Sequence, residues 1–596
     1  MIGQKYTTKI VAVLMAAAVL LCLLAVAFSD QITARAGDPG VSMEYETALF
    51  DTDSIMTVNI RMDEDEWNEM LENAMSEEYY SCDVEINGTT FCNVGIRPKG
   101  NTSLSSIASD PTTDRYSFKL EFDHYVEGQT CFGLDKLILN NNYADATCMK
   151  EALVYDMYQY LGADASLYNY AKISVNGTYW GVYLALEGVE DSFLLRNYGV
   201  QNGELYKPEG MNMGGGGGMP QPGNRNDGEF PQNQDEEDSE EVLPAPENPK
   251  DEADRQAETS EQTENVSQTE KPDPERSQPE KFEKGDFEKM DFPGDGFGAG
   301  SGGADLSYTD DDLDSYETIW DGEVTETGRK DHKRVVTALK NISEGNNLEE
   351  YMDVDNLLRY MAVHIFSVNE DSLSGNMAHN YYLYESGGQL NLIPWDYNLA
   401  FGGMSRGSDA ESVVNSAIDD AFSGTDFFDT LMEDETYHSR YYAYLQQLVS
   451  DYVNGGAFDA FYERVRSQID ELVETDPTAF YTCEEYQEAA DTLYQLVKLR
   501  GESIQKQLDG TIPSTKEAQQ GSDALVDASA LDLGVMGSMN TGGEHGDRGH
   551  GGRPEFSDAG EEENLRGNGD REKTADAPER PGEKKTEVAN GSQNTP

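Results

Sequence analysis

Two aspartates bracket a short run of alternating apolar residues. Asp371 lies in Asn369-Glu-Asp371-Ser-Leu-Ser-Gly-Asn376-Met-Ala-His-Asn380, and Asp396 ends Ile393-Pro-Trp-Asp396. Between them, Tyr381–Glu385 and Leu390–Pro394 read as the strands of a hairpin. One carboxylate thus precedes the hairpin and one follows it. Phosphoryl transfer needs such a pair. One aspartate orients the acceptor hydroxyl and takes its proton, while the second, with an amide, holds Mg²⁺ on the nucleotide phosphates. Asp371 and Asn376 also keep the D-x4-N spacing of catalytic loops that do this chemistry. A carboxylate-pair glycosidase is the weaker alternative, because no aromatic-lined repeat or second acidic strand end accompanies the pair. The seven histidines make no HExxH and the six cysteines no CxxC, so zinc is not indicated.

The elements around the pair divide into a strand-rich and a helix-rich half. Ser54–Arg61, Asp83–Ile86, Thr90–Arg97, Tyr116–Phe122 and Lys136–Asn140 alternate as strands, with one helix near Asp63–Asn73. Thr147–Leu161 reads as a helix stopped by Gly162. A hairpin follows over Tyr170–Val175 and Thr178–Leu186, turning at Asn176-Gly177, and Asp191–Tyr198 starts a further helix. From about residue 306 the periodicity is helical, over Asp331–Asn341, Asp353–Val368, Asp426–Met432, Tyr437–Tyr452, Phe458–Glu474 and Glu484–Gln507. Strands feeding helices, with one hairpin inside the helical half, is an α+β, two-lobed, kinase-like layout.

Composition separates folded from unfolded stretches. Residues 208–305 contain no Trp, Tyr, Cys or Ile, and residues 509–596 contain no Trp, Tyr or Cys and one Phe. Such segments cannot bury enough apolar surface to offset the entropy of ordering them. The expected organisation is residues 37–207 as a strand-rich lobe, 208–305 as a disordered acidic insertion, 306–508 as a helix-rich lobe and 509–596 as a disordered tail. The insertion is not a boundary between independent domains, because neither flank reads as complete alone. The net charge of −70 excludes a general nucleic-acid binder, since a phosphate backbone would be repelled.

Residues 1–36 read as an export segment. Lys5 and Lys9 precede the uncharged run Ile10–Phe28, and Ala25-Val26-Ala27 and Ala34-Arg35-Ala36 both fit a cleavage site. The run is also long enough to span a bilayer, so a cleaved signal and an uncleaved membrane anchor both remain open. Either way the rest of the chain is expected outside the cytoplasm. There a disulfide between Cys82 and Cys92, which flank the Asn87-Gly88 turn, is plausible; two free thiols is the alternative.

Several stretches resemble the spore coat protein H (CotH) kinases, a family of atypical secreted or coat-associated protein kinases. They are Val94-Gly-Ile-Arg97-Pro-Lys-Gly100-Asn-Thr-Ser103, Tyr116-Ser-Phe-Lys119-Leu-Glu-Phe, Asn176-Gly-Thr-Tyr-Trp-Gly-Val-Tyr183, Glu187, Gly203-Glu-Leu-Tyr-Lys207, His379-Asn-Tyr-Tyr-Leu-Tyr384 and Pro394-Trp-Asp396. They occur in order over residues 50–207 and 306–505. The resemblance implies a small kinase-like fold, ATP with Mg²⁺ (Mn²⁺ as the substitute), and transfer to Ser or Thr of coat or surface proteins.

Carried over residue by residue, the resemblance makes Asp371 the catalytic aspartate and Asp396 the metal aspartate. Asn376 fits the general kinase spacing, whereas Asn380 lies in the family's own stretch and is preferred as the metal amide. Lys119 suits the phosphate-pairing lysine and Glu151 its carboxylate partner. Arg97, Gly100 and Ser103 border a loop able to cover phosphates through backbone N–H groups. Tyr183–Glu187 would run beside the adenine. A coat protein needs no export signal, so the N-terminus points instead to a cell-surface kinase. Residues 208–305 are either an autophosphorylation segment, holding Ser239, Ser260, Ser267 and Ser277 among acids, or a spacer. The competing reading is a catalytically inactive kinase-fold scaffold or adhesin.

Overall fold

The computed structural model describes residues 40–199, 203–208, 304–375, 378–404, 409–420, 422 and 425–539. The expected export segment, most of the insertion, Asn376 and the chain beyond 539 lie outside the described residues. No described helix is long and apolar enough to cross a membrane.

The strand-rich half is a closed barrel of β1 (Met56–Arg61), β2 (Tyr80–Ile86), β3 (Thr89–Lys99), β4 (Ser117–Glu121), β5 (Lys136–Asn140), β6 (Tyr168–Val175) and β7 (Thr178–Glu187), in the order β1-β2-β3-β4-β5-β7-β6. Neighbours are antiparallel except where β6 returns parallel to β1, placing Val58 beside Ile173. That pairing closes the sheet and leaves neither edge open. The expectation of an α+β chain, strands before helices, therefore holds, but a closed barrel stands in place of a clear kinase N-lobe sheet. Alternation sends Val58, Ile60, Val84, Val94, Ile96, Phe118, Leu120, Leu137 and Leu139 inward. Trp67 adds its ring to this core, 5.4 Å from Phe118 and 5.3 Å from Trp180. Asn87-Gly88 and Asn176-Gly177 turn the two predicted hairpins, all four residues at positive φ.

Cys82 and Cys92 do not face each other. A bulge sets two residues, Cys92 and Asn93, against Asp83, with Asn93 at φ 54°. Cys82 is thereby paired with Val94 and buried in the barrel, while Cys92 is exposed; both are free thiols.

The outer face of β5, β7 and β6 belongs to a second core. Ile138, Leu184, Leu186, Tyr168 and Tyr170 pack there with helix α1 (Lys150–Leu161) and the helical half. α1 is covered on nearly every side, which explains why even Lys150 and Glu151 are buried. The helical half contains α2 (Arg329–Ser343), α3 (Val354–Ser367), α4 (Glu435–Gln447), α5 (Ala457–Glu474) and α6 (Cys483–Leu508). α4 stops short of the predicted Tyr452 because Leu448–Val453 winds as a π-helix.

The flanks of residues 208–305 are built into one sheet. β8 (Glu204–Tyr206) pairs antiparallel with β9 (Tyr381–Ser386), which pairs with β10 (Gln389–Pro394). The Lys207 N–H donates to the Gly322 carbonyl at 2.7 Å, and the Tyr381 hydroxyl donates to the Ala304 carbonyl at 2.5 Å.

The tail boundary expected at 508 falls short. Ile512, Val526, Leu533 and Met536 are buried. The Asn415 side chain exchanges two 2.9 Å hydrogen bonds with the backbone of Val526, and Met536 and Gly537 offer carbonyls to the Ala146 N–H at 3.0 Å and the Lys150 ammonium at 3.4 Å. A few well-spaced aliphatic side chains suffice here, because they cover an existing core instead of building their own.

Candidate active site

α3 ends at Ser367, and Val368 takes φ 46°, an uncommon conformation for a β-branched residue. The chain then swings into Asn369, whose side-chain oxygen accepts from the Asp371 N–H at 3.3 Å. The Asp371 carboxylate is held on both sides. His379 Nε2 lies 2.7 Å from Oδ1, and Asn380 Nδ2 donates to Oδ2 at 3.1 Å and to the Asp371 carbonyl at 2.8 Å. Asn380 is at φ 59°, which asparagine tolerates better than most residues.

Asp396 follows β10 and Trp395, and it too is left-handed, at φ 60°. A non-glycine residue held there marks a site that its surroundings over-determine. Burial raises the Asp396 carboxyl; Lys99 opposes the rise most, Asp371 adds to it, and Lys207 and His379 oppose it. The cation that meets Asp396 from the barrel is thus Lys99, the last residue of β3. Burial lowers the Lys99 ammonium, Asp396 counters that, and Lys207 reinforces it. Lys99 Nζ donates to Asn140 Oδ1 at 3.3 Å and lies 5.8 Å from the centre of the Trp395 ring. Asn140 Nδ2 in turn donates to Glu151 Oε2 at 2.8 Å. Burial, with Asp396 next, pushes Glu151 up to about 8, and its Oε1 has no hydrogen-bond partner among the described residues.

Asp371, Asn380, Asp396 and Glu151 are therefore brought together, as the sequence suggested. Lys119 is not among them. It sits two residues along the ladder, opposite Arg97, and its ammonium bonds Glu190 at 3.1 Å. Lys99 is opposite Ser117, at the end of the ladder that meets α1. Arg97 is turned away as well, pairing with Glu77 and stacking 5.4 Å from the Tyr79 ring. Glu187 is fully buried and its carboxylate is engaged by its own neighbours: Arg196 grips both its oxygens at 2.8 and 2.6 Å, and the Tyr45 hydroxyl donates to it at 2.6 Å. Gly100 directly follows Lys99 at φ 127°, where a Cβ would lie 2.8 Å from Ser103 Oγ, so only glycine fits that turn. Lys99, Asn140, Lys207 and His379 are the residues that strand and helix periodicity did not single out. The signal for Lys99 was its place between Arg97-Pro98 and Gly100.

The donor set suits a hard cation. The Asp396 carboxylate and the Asn380 amide oxygen match the few protein ligands Mg²⁺ takes before phosphate and water oxygens complete its octahedron. Among the described residues no group of three or more His, Cys, Asp or Glu forms a metal cage.

The family model described as CotH kinase protein matches residues 96–277 and 267–504, well over half of the chain. No curated protein matches it. The match begins within β3 and ends within α6, so it takes in Lys99, Glu151, Asp371 and Asp396. The chain belongs to the CotH kinase family.

Proposed function

We propose that the protein is an exported phosphotransferase that moves the γ-phosphoryl group of ATP, with Mg²⁺, onto Ser or Thr hydroxyls of cell-surface proteins. The observation that carries this is the convergence of Lys99, Asp371 and Asp396. Three segments far apart in sequence bring one lysine and two carboxylates around the end of a single strand. In this reading the barrel and the helical half act as the two lobes of a kinase-like fold.

Asp371 receives the proton of the acceptor hydroxyl. Its carboxylate is pre-aimed by His379 and Asn380, so little reorientation is left for the moment of reaction. The acceptor oxygen forms the new bond to phosphorus as the bond to the bridging oxygen of ADP breaks, and the electron pair leaves with ADP. Lys99 neutralises the phosphates, and Asn140 and Trp395 fix its position. Asp396 and the Asn380 amide oxygen would hold Mg²⁺, which supplies charge neutralisation on the phosphates when bound. Gly100 lets the backbone after Lys99 turn closely against the bound phosphates.

Transfer of label from ATP to the protein or to a Ser-rich peptide, by the full chain with Mg²⁺ or Mn²⁺, tests the proposal. The activity should vanish in Asp371→Asn and Asp396→Asn. A folded wild type that neither transfers label nor binds ATP would favour the scaffold reading instead.

A further inference from the structure

The carbonyls that end an α-helix have no partners inside it, and each must be met from elsewhere. At the end of α3, the element that delivers Asp371, all four are met. Ser367 Oγ donates to the His364 carbonyl at 3.0 Å, and the Phe401 N–H donates to the Ser367 carbonyl at 2.7 Å. The two between belong to Arg500 of α6. Its Nη2 donates to the Ile365 carbonyl at 2.8 Å and its Nε to the Phe366 carbonyl at 3.3 Å. Its Nη1 reaches a second stretch of chain, the Val414 and Ser416 carbonyls at 3.1 and 2.6 Å. Val414 is the last residue of the short helix Ala410–Val414. One guanidinium thus holds the ends of two helices at a fixed separation.

Arg500 is fully buried, and among the described residues no carboxylate pairs with it. Burial lowers it to about 9, so it is still charged at neutral pH. A buried cation matched only by carbonyls is a costly way to cap a helix, since neutral amides would satisfy the same oxygens. A neutral amide cannot span both stretches, however. Its two N–H donors share one nitrogen, whereas the guanidinium directs donors from three. Gln507, seven residues along α6, shows the difference. It serves the second stretch, donating to the Ser416 carbonyl at 3.2 Å and accepting from the Ile418 N–H at 3.1 Å.

The end of α3 is where the two carboxylate segments meet. Val368 turns left-handed directly after it and leads to Asp371, while Phe401 arrives from the Asp396 segment. Lys99 ends β3 and Asp396 follows β10, so sheet pairing holds the nucleotide side in place without Arg500. His379 and Asn380 aim the Asp371 carboxylate, but its main chain hangs from the helix end. We propose that Arg500 is a positioning residue for phosphoryl transfer, fixing the end of α3 and through it the place of Asp371 relative to the nucleotide. This rests on the phosphotransferase reading given above. Loss of Arg500 then displaces Asp371 without loosening ATP.

The test uses the full chain with Arg500→Gln, Arg500→Lys and Gln507→Leu. Arg500→Lys keeps the charge and the stem for folding and loses only the fork. Label transfer from ATP with Mg²⁺ is read per folded molecule, beside ATP binding. Both Arg500 variants should lose about tenfold or more in kcat, with ATP affinity within about twofold of wild type. Gln507→Leu, which loosens only the second stretch, should keep kcat within about threefold. Hydrogen exchange adds a readout that does not depend on activity. In Arg500→Lys the amides of residues 368–372 should exchange about tenfold faster or more, and those of β3 and β10 at the wild-type rate. Unchanged kcat and exchange in Arg500→Lys overturns the inference and leaves the phosphotransferase reading intact. ATP affinity that falls together with kcat, or an equal loss of kcat in Gln507→Leu, also overturns it, because each marks a general loosening of the fold. A wild type that transfers no label overturns both.

Discussion

Lys99 and Glu151 are joined through a neutral residue. Asn140 accepts from the Lys99 ammonium at 3.3 Å with its oxygen and donates to Glu151 at 2.8 Å with its nitrogen. The lysine is thereby oriented without being spent on an ion pair, and its charge remains available to Asp396 and to phosphates. Lys99→Met should lower kcat/KM for phosphoryl transfer by about a hundredfold or more, the loss of a charged contact in a water-poor site. Lys119→Met, which loses the half-buried pair with Glu190, should stay within about threefold of wild type in kcat/KM, because that ammonium bonds an acid away from Asp371 and Asp396. Steady-state kinetics on the two variants separates the positions. Equal losses would mean that both lysines reach the nucleotide.

A buried chain of hydrogen bonds ties the three site segments together. His364 lies 2.5 Å from Ser374 Oγ in the Asp371 loop and 3.0 Å from the Tyr397 hydroxyl beside Asp396. Tyr397 is 2.6 Å from the Tyr158 hydroxyl on α1, the helix of Glu151. Burial pushes His364 from its ordinary 6.5 down to about 3. The unfolded chain binds this proton near pH 6.5 and the folded chain does not until about pH 3. The contribution is therefore present above pH 6.5 and lost as pH falls toward 3, on the order of 5 kcal/mol across the window. Urea unfolding at a series of pH values should show wild type weakening faster between pH 6 and 4 than His364→Gln, although the variant is less stable at neutral pH. Parallel curves would show that His364 does not cause the acid sensitivity.

Deleting residues 510–539 should destabilise the protein. Truncation after Asp509 strips Ile512, Val526, Leu533 and Met536 from the core and exposes Lys150. At roughly 1.5 kcal/mol or more for each fully buried aliphatic side chain, the loss rivals the whole stability of a domain. The thermal midpoint should fall by more than about 10 °C, whereas truncation after Met539 should leave it unchanged. Equal midpoints would mean that the strap contributes nothing to the fold.

Glu187→Ala should behave as a stability defect and not as a loss of nucleotide binding. It leaves Arg196 uncompensated beside Tyr45, and breaking such a buried pair costs about 3–5 kcal/mol. The fraction still folded should bind ATP as wild type does. Weaker ATP affinity at unchanged stability would return Glu187 to the site.

The elements were legible because short-range signals define them. Lys136–Asn140 and Asp191–Tyr198 run as their patterns predict, and both Asn-Gly pairs turn hairpins. The two aspartates were legible because each ends a strongly apolar element. The lysine was not, for alternation puts Arg97, Lys99 and Lys119 on one face of the sheet without saying which end of the ladder meets α1. Glu187 was misplaced for another reason: its partner Tyr45 is 142 residues away, a contact no local pattern carries. The tail was misjudged because counting aromatic residues overlooks aliphatic side chains that dock onto a finished core. The Cys82–Cys92 pairing failed on register: the two-residue turn sets Ile86 against Thr89, so Cys92 falls opposite Asp83, one residue off Cys82, and the bulge then moves Cys82 on to Val94.

The most direct test of the central claim is transfer of label from ATP by the full chain, with Mg²⁺ and with a chelator, for wild type, Lys99→Met, Asp371→Asn and Asp396→Asn. Mg²⁺-dependent label on the protein or on a Ser-rich peptide, reduced about a hundredfold or more in every variant while each remains folded, is the expected result. Transfer that survives in Asp371→Asn and Asp396→Asn would contradict the account, since the chemistry would then lie somewhere else in the molecule.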